Sequence, residues 1–235
     1  MIRLAVLSLC SCLLALPAAA TPPRVTSSDD RMMAATQTHL YVLRDVVDNL
    51  GSHYSALHDQ HLVEISLDTG EATRFWPLRR MGLNGLPVDE FLNPSLVTNL
   101  GGDVYDMMAI LGTVGAQPIS PGPWSVDDLS VVDGALMRGD QKLLTPFAIR
   151  AAGRAQLAIL REAYPPIETE EEYRREERID FYDLYQEGEW LCELAAEGQS
   201  FFRETDRIVA AKLRCEDQEL YGIWSFHVLI HEDND

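Results

Sequence analysis

Two cysteines, Cys192 and Cys215, lie in segments whose side chains alternate with the two-residue period of a strand, and this constrains the fold more than any other feature. In Glu189 to Ala196, Cys192 shares a face with Trp190 and Leu194. In Arg207 to Cys215, Cys215 shares one with Val209, Ala211 and Leu213. Two inward-facing thiols can meet in a core, and closing the loop between them is worth roughly 3 kcal/mol in the chain-entropy account. No C-x-x-C spacing is present, so the expected disulfide is structural rather than redox-active.

A disulfide needs an oxidising compartment, and the N-terminus supplies a route to one. Arg3 provides a positive charge, and Leu4 to Leu16 is almost wholly apolar. That run is shorter than the roughly 20 residues of a spanning helix. Pro17 ends it, and Ala18 and Ala20 place small side chains where a signal peptidase requires them. Residues 1–20 are therefore expected to be a cleaved export signal, which removes Cys10 and Cys12 and leaves one cysteine pair. The expected location is a periplasm or the extracellular space of a bacterial host, with no stable membrane insertion after cleavage.

The formal net charge is −18, and Lys142 and Lys212 are the only lysines. Such a field repels nucleic acid and anionic headgroups, while cationic partners stay compatible with it. A hydrophobic share of 46% is enough for one core. The sequence divides into the signal, a flexible leader over 21–37 rich in Thr, Ser, Pro and Asp, and a single domain over 38–235.

Within that domain His39 to Val47, His61 to Leu67 and Ala72 to Leu78 read as strands. Asp68-Thr69-Gly70-Glu71 joins the last two as a hairpin, with Asp68 accepting from the backbone ahead of it and Gly70 left-handed. Gly82 to Gly122 reads as a long loop around one short helix, Val104 to Leu111. Phe147 to Tyr164 fits a helix that Gly153 could break. Thr169 with Glu172 resembles a capping box opening a charged helix to Gln186. Leu220 to Ile230 alternates, with Trp224, Phe226, Val228 and Ile230 on one face and Tyr221, Ser225 and His227 on the other. The expected class is α+β, with antiparallel hairpin-linked strands at both ends of the chain and helices between them.

The candidate chemistry is sparse. His53, His58 and His61, with Asp59 among them, could offer imidazoles to Zn or Cu from a loop. Equally, His61 falls on the strand face that carries Val63, Ile65 and Leu67. His231, Glu232 and Asp233 form a second possible metal group or a solvated tail. The acids of Glu168 to Glu177 alternate with Arg174, Arg175 and Arg178, as on a solvent-facing helix. No G-x-S-x-G, H-E-x-x-H, P-loop or G-x-G-x-x-G pattern occurs. Trp124, in Pro121-Gly122-Pro123-Trp124, is either a ring held out for a partner or a lid on the core.

These features support an exported, non-catalytic domain that binds a protein or small ligand without a cofactor. The alternative is a metal-binding protein or metal-dependent hydrolase that uses His53, His58 and His61.

Overall fold

The alternation along the chain builds strands almost throughout. The computed structural model describes residues 26–49, 56–82, 106–124, 128–163, 191–203, 206–217 and 222–233. Four long strands open the described chain: β1 (Thr26–Ala35), β2 (His39–Asp48), β3 (Leu57–Ser66) and β4 (Ala72–Met81). Helix α1 (Met107–Val114) and the short β5 (Gln117–Pro118) and β6 (Gly122–Pro123) follow. Next come β7 (Leu129–Val132), β8 (Ala135–Arg138), β9 (Gln141–Leu144) and helix α2 (Pro146–Ala163). Three long strands close the chain: β10 (Leu191–Phe202), β11 (Asp206–Asp217) and β12 (Gly222–Asp233).

Nine strands form one sheet in the order β4-β3-β2-β1-β12-β11-β10-β6, with β5 also on β1, and β7-β8-β9 form a separate meander. The architecture is therefore mostly β with two helices among the described residues, which corrects the α+β expectation. The sheet is mixed, because β1 and β12 join its two antiparallel halves by parallel pairing. The strand content was underestimated for a physical reason: β1 is polar. Its Thr-Ser-Ser-Asp-Asp sequence lies where a leader over 21–37 was expected. Yet Ser28 and Asp30 are buried and β1 pairs with β2 along its length. The export signal expected at 1–20 and the helix expected at 169–186 lie outside the described residues.

The sheet curls so that one face becomes an interior. Met32, Val42, Val63 and Phe75 lie in one cross-strand row and pack with Val209, Leu213, Trp224 and Phe226 from the other half. The opposite face of the first half buries Tyr41, Leu62 and Trp76 beneath Ile110 and Leu111 of α1. Asp106 caps that helix, accepting from the Met108 N–H at 2.8 Å, and left-handed Gly115 ends it.

The β3–β4 turn forms where expected, with Gly70 at φ 73°, and Thr69 Oγ1, where Asp68 was expected, accepts from the Glu71 N–H ahead at 3.2 Å, while Ser66 Oγ accepts from the Asp68 N–H at 3.2 Å. The Asp68 carboxylate instead pairs with Arg203 beside the β10–β11 turn, so the tips of the two halves are tied together. Cys192 and Cys215 are direct partners in the β10–β11 ladder and are disulfide-bonded, as expected. Helix α2 packs over that bond. A Cβ on Gly153 would lie 2.3 Å from Cys192 Sγ and 2.8 Å from Cys215 Sγ, so a glycine in mid-helix is the condition for close packing and no break follows.

Candidate functional site

The join between the halves is short. Strand β2 occupies one edge of β1 from Thr26 to Ala35, so β12 and β5 share the other edge. Among the described residues β12 pairs only at Ser28↔Trp224 and Asp29↔Ser225, and β5 only at Ala34 and Ala35. Between them, from Asp30 to Met33, no strand pairs with that edge, and the sheet is split.

Two bulges flank the split. In β1 the register with β2 slips at Met33, between Met32↔Val42 and Ala34↔Tyr41. In β10 the register jumps from Leu194↔Leu213 to Gly198↔Ala211, so Ala195 to Glu197 stand opposite Lys212 alone. A bulge frees backbone groups from the ladder, and they need partners elsewhere. The segment 117–124 crosses from β1 to β10 as a strap and supplies both. Ile119 N–H donates to the Met33 carbonyl at 3.1 Å, and Trp124 Nε1–H donates to the Ala195 carbonyl at 2.8 Å. Three prolines at 118, 121 and 123 suit a strap that has few donors of its own to satisfy.

Beneath the strap lies a cleft of about 450 Å³. Met32, Met33, Ile119 and Pro121 give it an apolar wall, and Asp29, Arg31, Glu197 and Lys212 give it charge. The Lys212 ammonium is 2.8 Å from Asp29 Oδ1 and 3.7 Å from Glu197 Oε1. The lysine side chain is 11% exposed, whereas the Asp29 and Glu197 side chains are 58% and 44% exposed. The cation is thus sunk, and the carboxylates that hold it reach solvent. A carboxylate can accept several hydrogen bonds, so both keep capacity for a further donor.

Behind the cleft the inner face carries buried charge. Arg44 is bidentate to Asp30, both contacts 2.6 Å, and Arg80 is bidentate to Asp59 at 2.7 and 3.0 Å. His61 stands opposite Arg44 in the β2–β3 ladder. Burial, and then the Arg44 and Arg80 charges, push its pKa down to about 3. His227 stands opposite Lys212 in the β11–β12 ladder and is 6% exposed. Burial pushes its pKa down to about 4, Asp30 opposes that, and Lys212 adds to it. Among the described residues its Nδ1 has no hydrogen-bond partner.

The residues singled out from sequence are not brought together. His53 lies outside the described residues. His61 lies in strand β3, as its alternation predicts, and the strand begins early enough to take in His58 as well. Three residues apart on a strand they occupy opposite faces, His58 exposed and His61 buried, so they cannot share one ligand set. Among the described residues no group of three or more His, Cys, Asp or Glu is placed to hold a metal ion. The C-terminal acids are not a loose tail: Glu232 pairs with Arg138, and His231 Nδ1 is 3.3 Å from Asp206 Oδ2. Trp124 is 6% exposed and closes the core over Gly198, so its ring is not held out for a partner.

Sequence reasoning missed Asp29, Arg31, Glu197 and Lys212. Lys212 alone carried a signal, being one of two lysines in an acidic chain and placed within an apolar strand. Compared with protein-family models, curated proteins and solved structures, the chain matches none.

Proposed function

We propose that the mature chain is an exported, non-catalytic binding domain whose cleft at the split sheet takes a small amphipathic cation. The observation that carries the reading is the arrangement of two bulges and a strap around an apolar-walled cleft rimmed by Asp29 and Glu197, whose carboxylates are far more exposed than the lysine they hold. Bulges recur where a sheet is opened for a site, and apolar clefts with a few placed polar groups are the usual form of small-molecule sites. The net charge of −18 draws cations toward such a rim. An ammonium end would bond to Asp29 and Glu197 while its hydrocarbon lies on Met32, Met33 and Ile119.

The test is a titration of mature chain, residues 21–235, carrying ¹³C-methyl methionine, with hexylamine and separately with hexanoate. Saturable shifts of the Met32 and Met33 methyls with hexylamine are expected, and Asp29→Asn/Glu197→Gln should weaken them about tenfold, roughly 1.4 kcal/mol. Shifts with hexanoate alone, or none with hexylamine, would sink the reading.

A further inference from the structure

The split carries a second feature that the binding reading leaves unused. Strand β12 pairs with β1 at Asp29↔Ser225. Extending that parallel register by two residues puts His227 level with Arg31, where pairing has already stopped. In the neighbouring ladder His227 faces Lys212, the sunk cation of the cleft. The residue is 6% exposed, and among the described residues its Nδ1 has no hydrogen-bond partner. A buried ring nitrogen left without a hydrogen bond is a cost the fold carries at the weakest junction of the sheet.

The charges around the ring come from three strands. Lys212 faces it from β11, Asp29 and Asp30 approach from β1, and Arg44 approaches from β2. The two aspartates are already committed, Asp30 bidentate to Arg44 and Asp29 to Lys212, with Glu197 of β10 also 3.7 Å from the lysine. A proton on His227 would create an imidazolium opposite an ammonium in a desolvated site, and the Asp29 carboxylate within reach of both would be shared between them. Like charges directly opposite in a ladder repel, and low local polarity strengthens the repulsion. Two routes relieve it: Asp29 can leave Lys212 for the ring, or β12 can move from β1. Both act on the same two residue pairs that close the sheet.

We propose that His227 is a proton switch at the β1–β12 seam: its protonation breaks the Asp29–Lys212 pair and loosens the seam beside the cleft. The switch extends the binding reading to its regulation, and its test is chosen to stand without a ligand. An exported chain meets the pH of its surroundings, so the seam is placed to respond to acid there.

The experiment follows amide and histidine-ring resonances of residues 21–235 from pH 7.5 to 3.5. The expected result is a transition centred near pH 4 in which the amides of Ser28, Asp29, Trp224 and Ser225 shift together with the His227 ring, while amides of β2 and β3 stay in place. His227→Gln should abolish that seam transition. Lys212→Met, which removes the opposing ammonium, should move its midpoint upward by about one pH unit, and it serves if His227→Gln does not fold. Seam amides that never move with the ring, that move only with β2 and β3 in general unfolding, or that keep their midpoint in both variants would overturn the proposal. Hexylamine added at pH 7.5 and 4 then separates the two claims: binding weakened more at pH 4 in the wild type than in His227→Gln connects switch to cleft, and absence of binding at both values removes the ligand reading and leaves the seam transition as measured.

Discussion

Replacing Gly153 by alanine should change sign with the state of the disulfide. In a helix interior Gly→Ala is worth about 1 kcal/mol of stability. Here the new Cβ would meet Cys192 Sγ at 2.3 Å, Cys215 Sγ at 2.8 Å and Cys192 Cβ at 3.3 Å. The sulfurs are fixed to two paired strands, so neither can swing aside as a free side-chain end would. Overpacking of a fixed core costs typically about 1–3 kcal/mol, and with no escape available the upper end applies. Gly153→Ala in the oxidised protein should therefore be destabilised by about 2 kcal/mol net. In a Cys192→Ala/Cys215→Ala background both sulfurs are gone, and the same substitution should be neutral or stabilising by up to about 1 kcal/mol. The background itself should lose roughly 3 kcal/mol, from a crosslink spanning a separation of 23 residues. Urea denaturation of the four proteins in a double-mutant cycle measures the coupling, expected at about 3 kcal/mol. An equal effect of Gly153→Ala in both backgrounds would refute the packing argument.

The remaining predictions concern buried charge and the strap. His61 and His227 are neutral in the fold with pKa values near 3 and 4, against 6.5 when unfolded. The unfolded state therefore binds more protons below pH 6.5, and stability falls as pH drops toward 4, by about 1.4 kcal/mol per pH unit for each ring. Easing of the −18 net charge on acidification acts the other way, so the check is the difference between wild type and His61→Gln in urea midpoints at pH 7 and 5, which should shrink as pH falls. Asp30→Asn removes the carboxylate that is bidentate to the buried Arg44 guanidinium and should cost roughly 3–5 kcal/mol, whereas Asp30→Leu/Arg44→Met together should cost far less; thermal melts at pH 7 decide. Gly198→Ala would put a Cβ 1.8 Å from Trp124 Cζ3, so it should push the indole off the Ala195 carbonyl and redden tryptophan emission, and an unchanged spectrum would contradict the packing described.

Much of the sheet was legible because alternation survives where one face is buried. The β3–β4 hairpin, β11, β12 and the Cys192–Cys215 pair all follow from a two-residue period with turn residues between. Strand β1 was hidden because its inner face is polar: Asp30 and Ser28 occupy core positions, and Asp30 is tolerable there only through Arg44, fourteen residues away in sequence. The β7–β8 hairpin was available to sequence reasoning and missed. Asp133-Gly134, with φ 49° and 73°, is a two-residue turn of the kind that Asp-Gly favours. Gly153 was taken as a possible break because propensity alone cannot see the disulfide above it.

The cleft was not legible. It depends on where two ladders slip and on β1 meeting β12 in parallel, and neither register is written in local periodicity. Trp124 drew attention through its proline-rich setting, and that setting proved to be the strap, but its ring serves the bulge and the core. The histidine group was legible in part: His61 was placed on the strand face of Val63, but the start of that strand at Leu57 was not seen, and it sends His58 to the opposite face.

The measurement that bears most directly on the cation-binding cleft is a crystal structure of residues 21–235 grown with hexylamine. The account predicts the amine under the strap, its nitrogen within hydrogen-bond distance of Asp29 or Glu197 and its chain against Met32, Met33 and Ile119. A cleft without amine at saturating concentration, or amine bound only elsewhere on the surface, would contradict it.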